Sequence, residues 1–235
     1  MSQPGLSGWS VSDIASVLTA IGTILLAFAA AFQDKIKLWI LRARLDARVN
    51  VAPPDCHKTK LTSLTNLGSI MESECYYFRF VVENVGDYKA EYVEAYAESL
   101  SKKKADGTYK DVETFMPMDL KWSIVDIPIL SAISPHTKKY CNIGHILNPI
   151  KRPSFPLFDN KTIGLDPSKT FLSLDQEVLA NTKGYLIPPG DYCLTLKIGA
   201  ANARQITKVL EITHKGDWYD EQERMFADGI GMIMK

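Results

Sequence analysis

Between Asp13 and Asp34 the chain carries no charged residue, and that gap limits what it can fold into more than any other feature. The run Ile14 to Gln33, IASVLTAIGTILLAFAAAFQ, has 20 residues. Wound as an α-helix at about 1.5 Å per residue, it covers roughly 30 Å, the thickness of a bilayer's hydrocarbon core. Buried helices of soluble domains seldom run so far without a charge. Its polar members Ser16, Thr19 and Thr23 can return their hydroxyls to helix carbonyls, so lipid tolerates them. Trp9 and Trp39 flank the run, where indole rings suit the headgroup zone. The sequence predicts a transmembrane helix over 14–33, after a short extracytoplasmic segment, 1–13.

The flanking charges give the span a direction. A cleaved signal peptide opens with cations, whereas the first thirteen residues hold no Lys or Arg and only Asp13. Lys35, Lys37, Arg42, Arg44 and Arg48 follow the run, against Asp34 and Asp46. By the positive-inside rule these five cations determine topology: N-terminus out, the rest of the chain cytoplasmic. They also suggest a basic juxtamembrane helix over 34–48. Beyond it the chain holds 22 cations and 24 anions, so only the juxtamembrane stretch is drawn to an anionic leaflet. Within the span Ala15, Thr19, Thr23, Ala27 and Ala31 recur one turn apart, a small-residue face suited to transmembrane association. An Ala-rich helix also produces such a register by chance.

The remainder reads as strands. In Cys75 to Asn84, Tyr76, Phe78, Phe80 and Val82 alternate with Tyr77, Arg79, Val81 and Glu83, the period of a half-buried strand. Ala90–Leu100, Thr108–Thr114, Leu120–Val125, Lys139–Leu147, Thr170–Leu174, Asp191–Ala200 and Arg204–Thr213 are further strand candidates. Turn clusters such as Ala105-Asp106-Gly107 and Ile187-Pro188-Pro189-Gly190-Asp191 separate them. Residues 55–74 are polar and weakly periodic, a loop or a short helix. The expectation is a mainly β chain with a sandwich domain over 49–216. The tail 217–235 should form a short helix around Asp220 to Ala227.

A search for chemistry returns little. The formal net charge is zero, with 27 Lys+Arg against 27 Asp+Glu, so the basic footprint of a nucleic-acid binder is missing. Four cysteines are too few for a disulfide scaffold, and in the cytoplasm they should stay reduced. Cys141 and His145 form the one pair with metal-ligand spacing. On a strand, residues four apart stand roughly 13 Å from each other, too far to grip one ion. No nucleophile elbow and no phosphate-binding glycine loop occurs. No catalytic, cofactor-binding or metal residue is therefore named, and no cofactor is expected. Lys102, Lys103 and Lys104, at a hairpin tip, are contacts for a small anionic ligand if they are more than a solvated edge. Lys151-Arg152 is a comparable minor patch.

Three stretches carry a resemblance. They are Ile21 to Ala27 running into Phe32 to Ile36, FVVENVG from Phe80 to Gly86 with Ala90 and Val93 following, and LIPPGDY from Leu186 to Tyr192. Together they resemble uncharacterised prokaryotic single-span membrane proteins with a cytosolic immunoglobulin-like β-sandwich. The resemblance implies that architecture and an inner-membrane location, and no activity. On this reading the protein is a non-catalytic interaction or adaptor module on the cytoplasmic face, with the bilayer and a protein partner or a second copy as partners. The alternative is a sensor–effector in stress or antiviral defence, whose sandwich binds a ligand and whose span oligomerises to perturb the membrane. A membrane-tethered hydrolase is the third reading.

Overall fold

The computed structural model describes residues 10–40, 43–64, 70–123, 125–150, 166 and 168–235. Trp9, Arg42 and Lys151-Arg152 lie outside the described residues, as do the side chains of residues 34–40, which include Lys35, Lys37 and Trp39. The chain divides into two units, Met1–Arg42 and Ala43–Lys235.

The first unit is helix α1, Val11–Ile40. Ser10 caps it: the Asp13 amide donates to Ser10 Oγ at 3.2 Å, and the Ser10 amide donates to Asp13 Oδ2 at 3.0 Å. That reciprocal pair satisfies amides a helix start leaves open. Ser16, Thr19 and Thr23 donate to the carbonyls of Ser12, Ala15 and Thr19 at 2.8–2.9 Å, so no hydroxyl in the apolar stretch lacks an acceptor. Val11–Gln33 is long and apolar enough to cross a bilayer, and none of it is buried against protein.

The second unit is two antiparallel sheets. The first holds β1 (Leu45–Arg48), β2 (His57–Leu64), β3 (Ile70–Asn84), β8 (Lys138–Leu147), β9 (Leu172–Leu174) and β10 (Leu186–Ile187). Its order is β1-β3-β8-β9-β10, with β2 beside β3. The second holds β4 (Ala90–Lys103), β5 (Tyr109–Asp111), β6 (Met118–Asp119), β7 (Ile129–Ile133), β11 (Gly190–Ala200), β12 (Ala203–His214) and β13 (Ile230–Met234). Its order is β13-β12-β11-β4-β5, with β6 and β7 also on β4. The alternation in β3 does what its period demands: Tyr76, Phe78, Phe80 and Val82 are wholly buried. They share one core with Val93, Ala95, Leu194, Leu196 and Ile198 from the other sheet. Each large apolar side chain buried this way contributes roughly 1.5–3 kcal/mol.

Three expectations fail. The juxtamembrane helix does not reach Arg48, because Leu45–Arg48 is strand β1, paired with Val81–Asn84. Leu45 and Ala47 are buried with period two, and Lys208 pairs with Asp46 at 3.0 Å. Residues 57–64 and 70–74 are strand rather than loop or short helix. Pairing along β3 overrides their weak local pattern, with Lys58–Glu74 and Lys60–Glu72 ion pairs across the ladder. Leu120–Val125 is no regular strand. Met118–Asp119 pairs with β4 and Trp122 bridges Cys141, so this segment crosses from one sheet to the other. In the tail, a helical turn α2 (Gln222–Arg224) continues as a π-turn over Met225–Gly229. Strand β13, unread in the Gly-rich sequence Ile230–Met234, then adds to β12.

Candidate functional site

A β-bulge builds the most site-like feature of the second unit. Along β4 the buried residues are Val93, Ala95 and Ala97, then Leu100. The register slips opposite Thr195/Leu196, leaving Glu98 as an extra residue. One extra residue reverses which side chains face the core. Lys102, which unbroken alternation from Val93 would turn outward, therefore shares the inner face with Leu100 and stands directly opposite Tyr192. Its Nζ lies 5.5 Å from the Tyr192 ring centroid.

Opposite this end of β4 and β11, the first sheet supplies Leu186 and Ile187 of β10 and the turn before it. The cleft between them has a volume of about 460 Å³, within the roughly 300–1,000 Å³ of small-molecule sites. Leu100, Val112, Leu186 and Ile187 give it apolar walls, and among the described residues Lys102 and Lys183 are its charged groups and no acidic residue lines it. Gly184 closes its floor, so near Thr114 that a β-carbon would lie 2.1 Å from the Thr114 carbonyl oxygen. At Gly190, where φ is +149°, a β-carbon would stand 3.1 Å from both Lys102 Cε and Tyr192 Cε2. The lysine stem and the phenol edge converge there.

Tyr192 is 2% exposed, and its hydroxyl has no hydrogen-bond partner among the described residues. Burial pushes the phenol up to about 12, so it is a neutral donor at physiological pH. Next to the cleft an open groove collects Lys103, Lys104 and Lys215, with Asp106 and Asp191. Asp106 is engaged by the Thr108 amide and hydroxyl at 2.8 and 2.6 Å. His214 backs this groove, 1% exposed, its Nε2 2.9 Å from Thr170 Oγ1. Burial lowers it to about 4, against the weaker opposing effect of the Pro188 and Ile187 carbonyls and of Asp217. The three hairpin lysines thus part company: Lys102, itself exposed, borders the cleft, while Lys103 and Lys104 line the outer groove.

A second polar cluster lies on the other face of the first sheet. Tyr77, His145 and Ser173 are neighbours across β3, β8 and β9. Asp175 accepts from the Tyr77 hydroxyl and lies 2.9 Å from His145 Nδ1. Asn142 Nδ2 donates to Tyr77 Oη at 3.1 Å, and Ser123 donates to Asn142 Oδ1 at 2.5 Å. A histidine with a carboxylate suggests hydrolysis, but the Ser123 and Tyr77 hydroxyls bond elsewhere, to Asn142 and to Asp175. The cluster ties the 119–126 crossing segment to the sheet. Desolvation and the Asp175 charge raise the Tyr77 phenol, so it stays a donor.

The Cys141–His145 pair is taken apart by a second bulge. Cys141 stands opposite Phe80 on the core face, and His145 opposite Tyr77 on the outer face, because Ile143 is the extra residue between them. Among the described residues no three His, Cys, Asp or Glu side chains form a metal-sized group. Cys56, Cys75, Cys141 and Cys193 are free thiols, the first three buried. Of the topology cations, Arg48 pairs with Glu83 at 2.8 Å and Arg44 donates to the Val85 carbonyl at 3.3 Å. Both belong to the sandwich. Ala15, Thr19, Thr23, Ala27 and Ala31 share one exposed face of α1. Sequence reasoning passed over Lys183, Gly184 and the role of Tyr192. The turn signals around Pro188-Pro189-Gly190 mark the place, but nothing in the residues marks an inward-turned lysine. Comparison with known proteins finds no matching family, no matching curated protein and no matching solved structure.

Proposed function

We propose that this is a membrane-anchored, non-catalytic binding module, with an immunoglobulin-like sandwich on the cytoplasmic face of an inner membrane. The observation that carries the reading is α1: an unburied apolar helix of bilayer length precedes a sandwich with its own core. The strand arrangement supports the immunoglobulin-like description. Strands β1-β3-β8 form one face and β12-β11-β4 the other, which is the A-B-E and G-F-C arrangement of that fold. The departure is at the next strand, where β9 follows β8 in the chain instead of preceding it. The orientation rests on the cations after the span and their absence before it.

A sandwich fixed to a membrane acts by what it holds there. The cleft favours a second reading, the ligand-gated sensor–effector, since an adaptor using only strand edges needs no pocket. One experiment separates the two. The full chain and a chain lacking Val11–Gln33 are expressed, fractionated by alkaline extraction, and assayed for growth arrest and dye leakage. Alkali-resistant membrane retention that depends on the span supports the anchored module. Leakage or arrest that the deletion abolishes supports the effector. A full chain released by alkali overturns both.

A further inference from the structure

The cleft between β4, β11 and β10 has a composition that selects its occupant. Its walls mix aliphatic side chains with Thr114, Asn181 and Thr182, and among the described residues its charged groups are Lys102 and Lys183, with no carboxylate in the lining to neutralise either. Neither lysine has an ion-pair partner among the described residues, although neighbouring lysines such as Lys110 and Lys197 do. Lys102 is held over the opening by the Glu98 bulge, and bulges beside sites commonly re-aim a side chain. Lys183 sits in the left-handed region at φ +56°, between a turn closed by its amide to the Ala180 carbonyl and one closed by its carbonyl to the Leu186 amide. Backbone conformations of that kind cost of order 1–3 kcal/mol and concentrate at ligand clamps.

The decisive group is Tyr192. A tyrosine opening the corresponding strand of an immunoglobulin-like sandwich ordinarily bonds back to nearby backbone. The Tyr192 hydroxyl does not: it is buried behind the ring that lines the cleft and meets no acceptor among the described residues. An unpaired buried hydroxyl costs about 1–3 kcal/mol, a cost a ligand oxygen would remove. We infer that the open end of the sandwich binds a small amphiphilic anion, a carboxylate or phosphate monoester. Its head lies between Lys102 and Lys183, one oxygen accepts from Tyr192, and its apolar body rests against Leu100, Val112, Leu186 and Ile187. A nucleotide fits less well, since the aromatic ring in the lining, Tyr192, already has Lys102 over it where a base would stack. This ligand class rests on the second reading above, that the cleft holds a ligand, and is independent of whether the span oligomerises.

The test uses the full chain in neutral-lipid nanodiscs, with empty nanodiscs as the blank. Hexanoate, hexyl phosphate, hexanol and inorganic phosphate are titrated by ligand-detected NMR. Hexanoate and hexyl phosphate should bind at least tenfold more tightly than hexanol or inorganic phosphate. Preference for hexanoate identifies a carboxylate ligand, and preference for hexyl phosphate a phosphate headgroup. Lys102→Met should weaken the preferred anion about tenfold, the loss expected of one charge-assisted hydrogen bond. Tyr192→Phe should weaken it at least threefold while leaving thermal stability equal or higher, because the removed oxygen has no protein partner. Three results overturn the inference: no anion binding by the wild type, unchanged affinity in both variants, or inorganic phosphate as tight as hexyl phosphate. None of these affects the anchored-module reading, which the alkaline extraction decides.

Discussion

His214 should make the sandwich acid-sensitive, and the structure sets the size of the effect. The imidazole is 1% exposed, bonded through Nε2 to Thr170 Oγ1, and lowered by burial from 6.5 to about 4. The unfolded chain therefore takes up a proton at this residue before the folded chain does. Stability is intact above pH 6.5 and falls as pH drops toward 4. At about 1.4 kcal/mol per unit, the loss is about 2 kcal/mol at pH 5 and about 3 kcal/mol below pH 4. His214→Gln keeps a hydrogen-bonding group for Thr170 and has no proton to gain in that range. The assay is urea denaturation of the fragment Ala43–Lys235 at pH 7 and pH 5, followed by tryptophan fluorescence. With a slope of about 2 kcal/mol per molar urea, the wild-type midpoint should fall about 1 M further than the variant's. Comparing the two cancels other titrations, among them Asp119. Desolvation, then Glu94 and Glu177, raise Asp119 to about 6, so it opposes the trend, favouring the fold as pH falls. Parallel losses in wild type and variant would refute the argument.

Gly184→Ala should lower stability by about 1–3 kcal/mol, because its β-carbon meets the Thr114 backbone at 2.1–2.4 Å and one of the two turns must move. An unchanged urea midpoint would mean that the floor of the cleft is not packed as described. With a thiol reagent, the native protein should show one fast group, the half-buried Cys193, and four after denaturation. Burial holds Cys56 near 11 and Cys75 near 12, so their thiolates are scarce as well as inaccessible. Two or zero thiols in the denatured, unreduced protein would instead indicate disulfides. A cytoplasm-restricted reporter fused after Lys235 should be active. Activity of a periplasm-restricted one would reverse the orientation drawn from Lys35, Lys37, Arg42, Arg44 and Arg48.

The long elements were legible because each carries one sustained pattern: β3 and β11 alternate over many residues, and α1 stays uncharged from Ile14 to Gln33. Where a segment's partner decides its structure, the sequence was silent. β2 is polar and gains its order from the ladder to β3 and its lysine–glutamate pairs. β1 lies just after a run of cations that resembles a helix leaving a membrane, and it is claimed by β3 and by the edge of β12 through Ala43–Ala203. Leu120–Val125 looks like a strand because it is strand-like in composition, yet its described residues make only isolated bridges, Leu120 to Gln176 and Trp122 to Cys141, after the short pairing of Met118–Asp119 with β4.

The cleft was illegible for a sharper reason. Strand reasoning assigns faces by counting in twos, and one inserted residue inverts every assignment beyond it. Counted from Val93 without interruption, Leu100 points to solvent and Lys102 with it, an ordinary charged hairpin edge. Counted through the Glu98 bulge, Leu100 joins the core and Lys102 turns over the mouth of the sandwich toward Tyr192. The same inversion at Ile143 separates Cys141 from His145 and disposes of the one metal-like pair. The extra residues, a glutamate and an isoleucine, are not of types that signal a bulge, so neither Glu98 nor Ile143 marks itself. The chemistry of this lysine-mouthed cleft is therefore written in register rather than in motif, and the groups that would test it, Lys102 and Tyr192, are ordinary residues placed opposite each other by a single-residue slip.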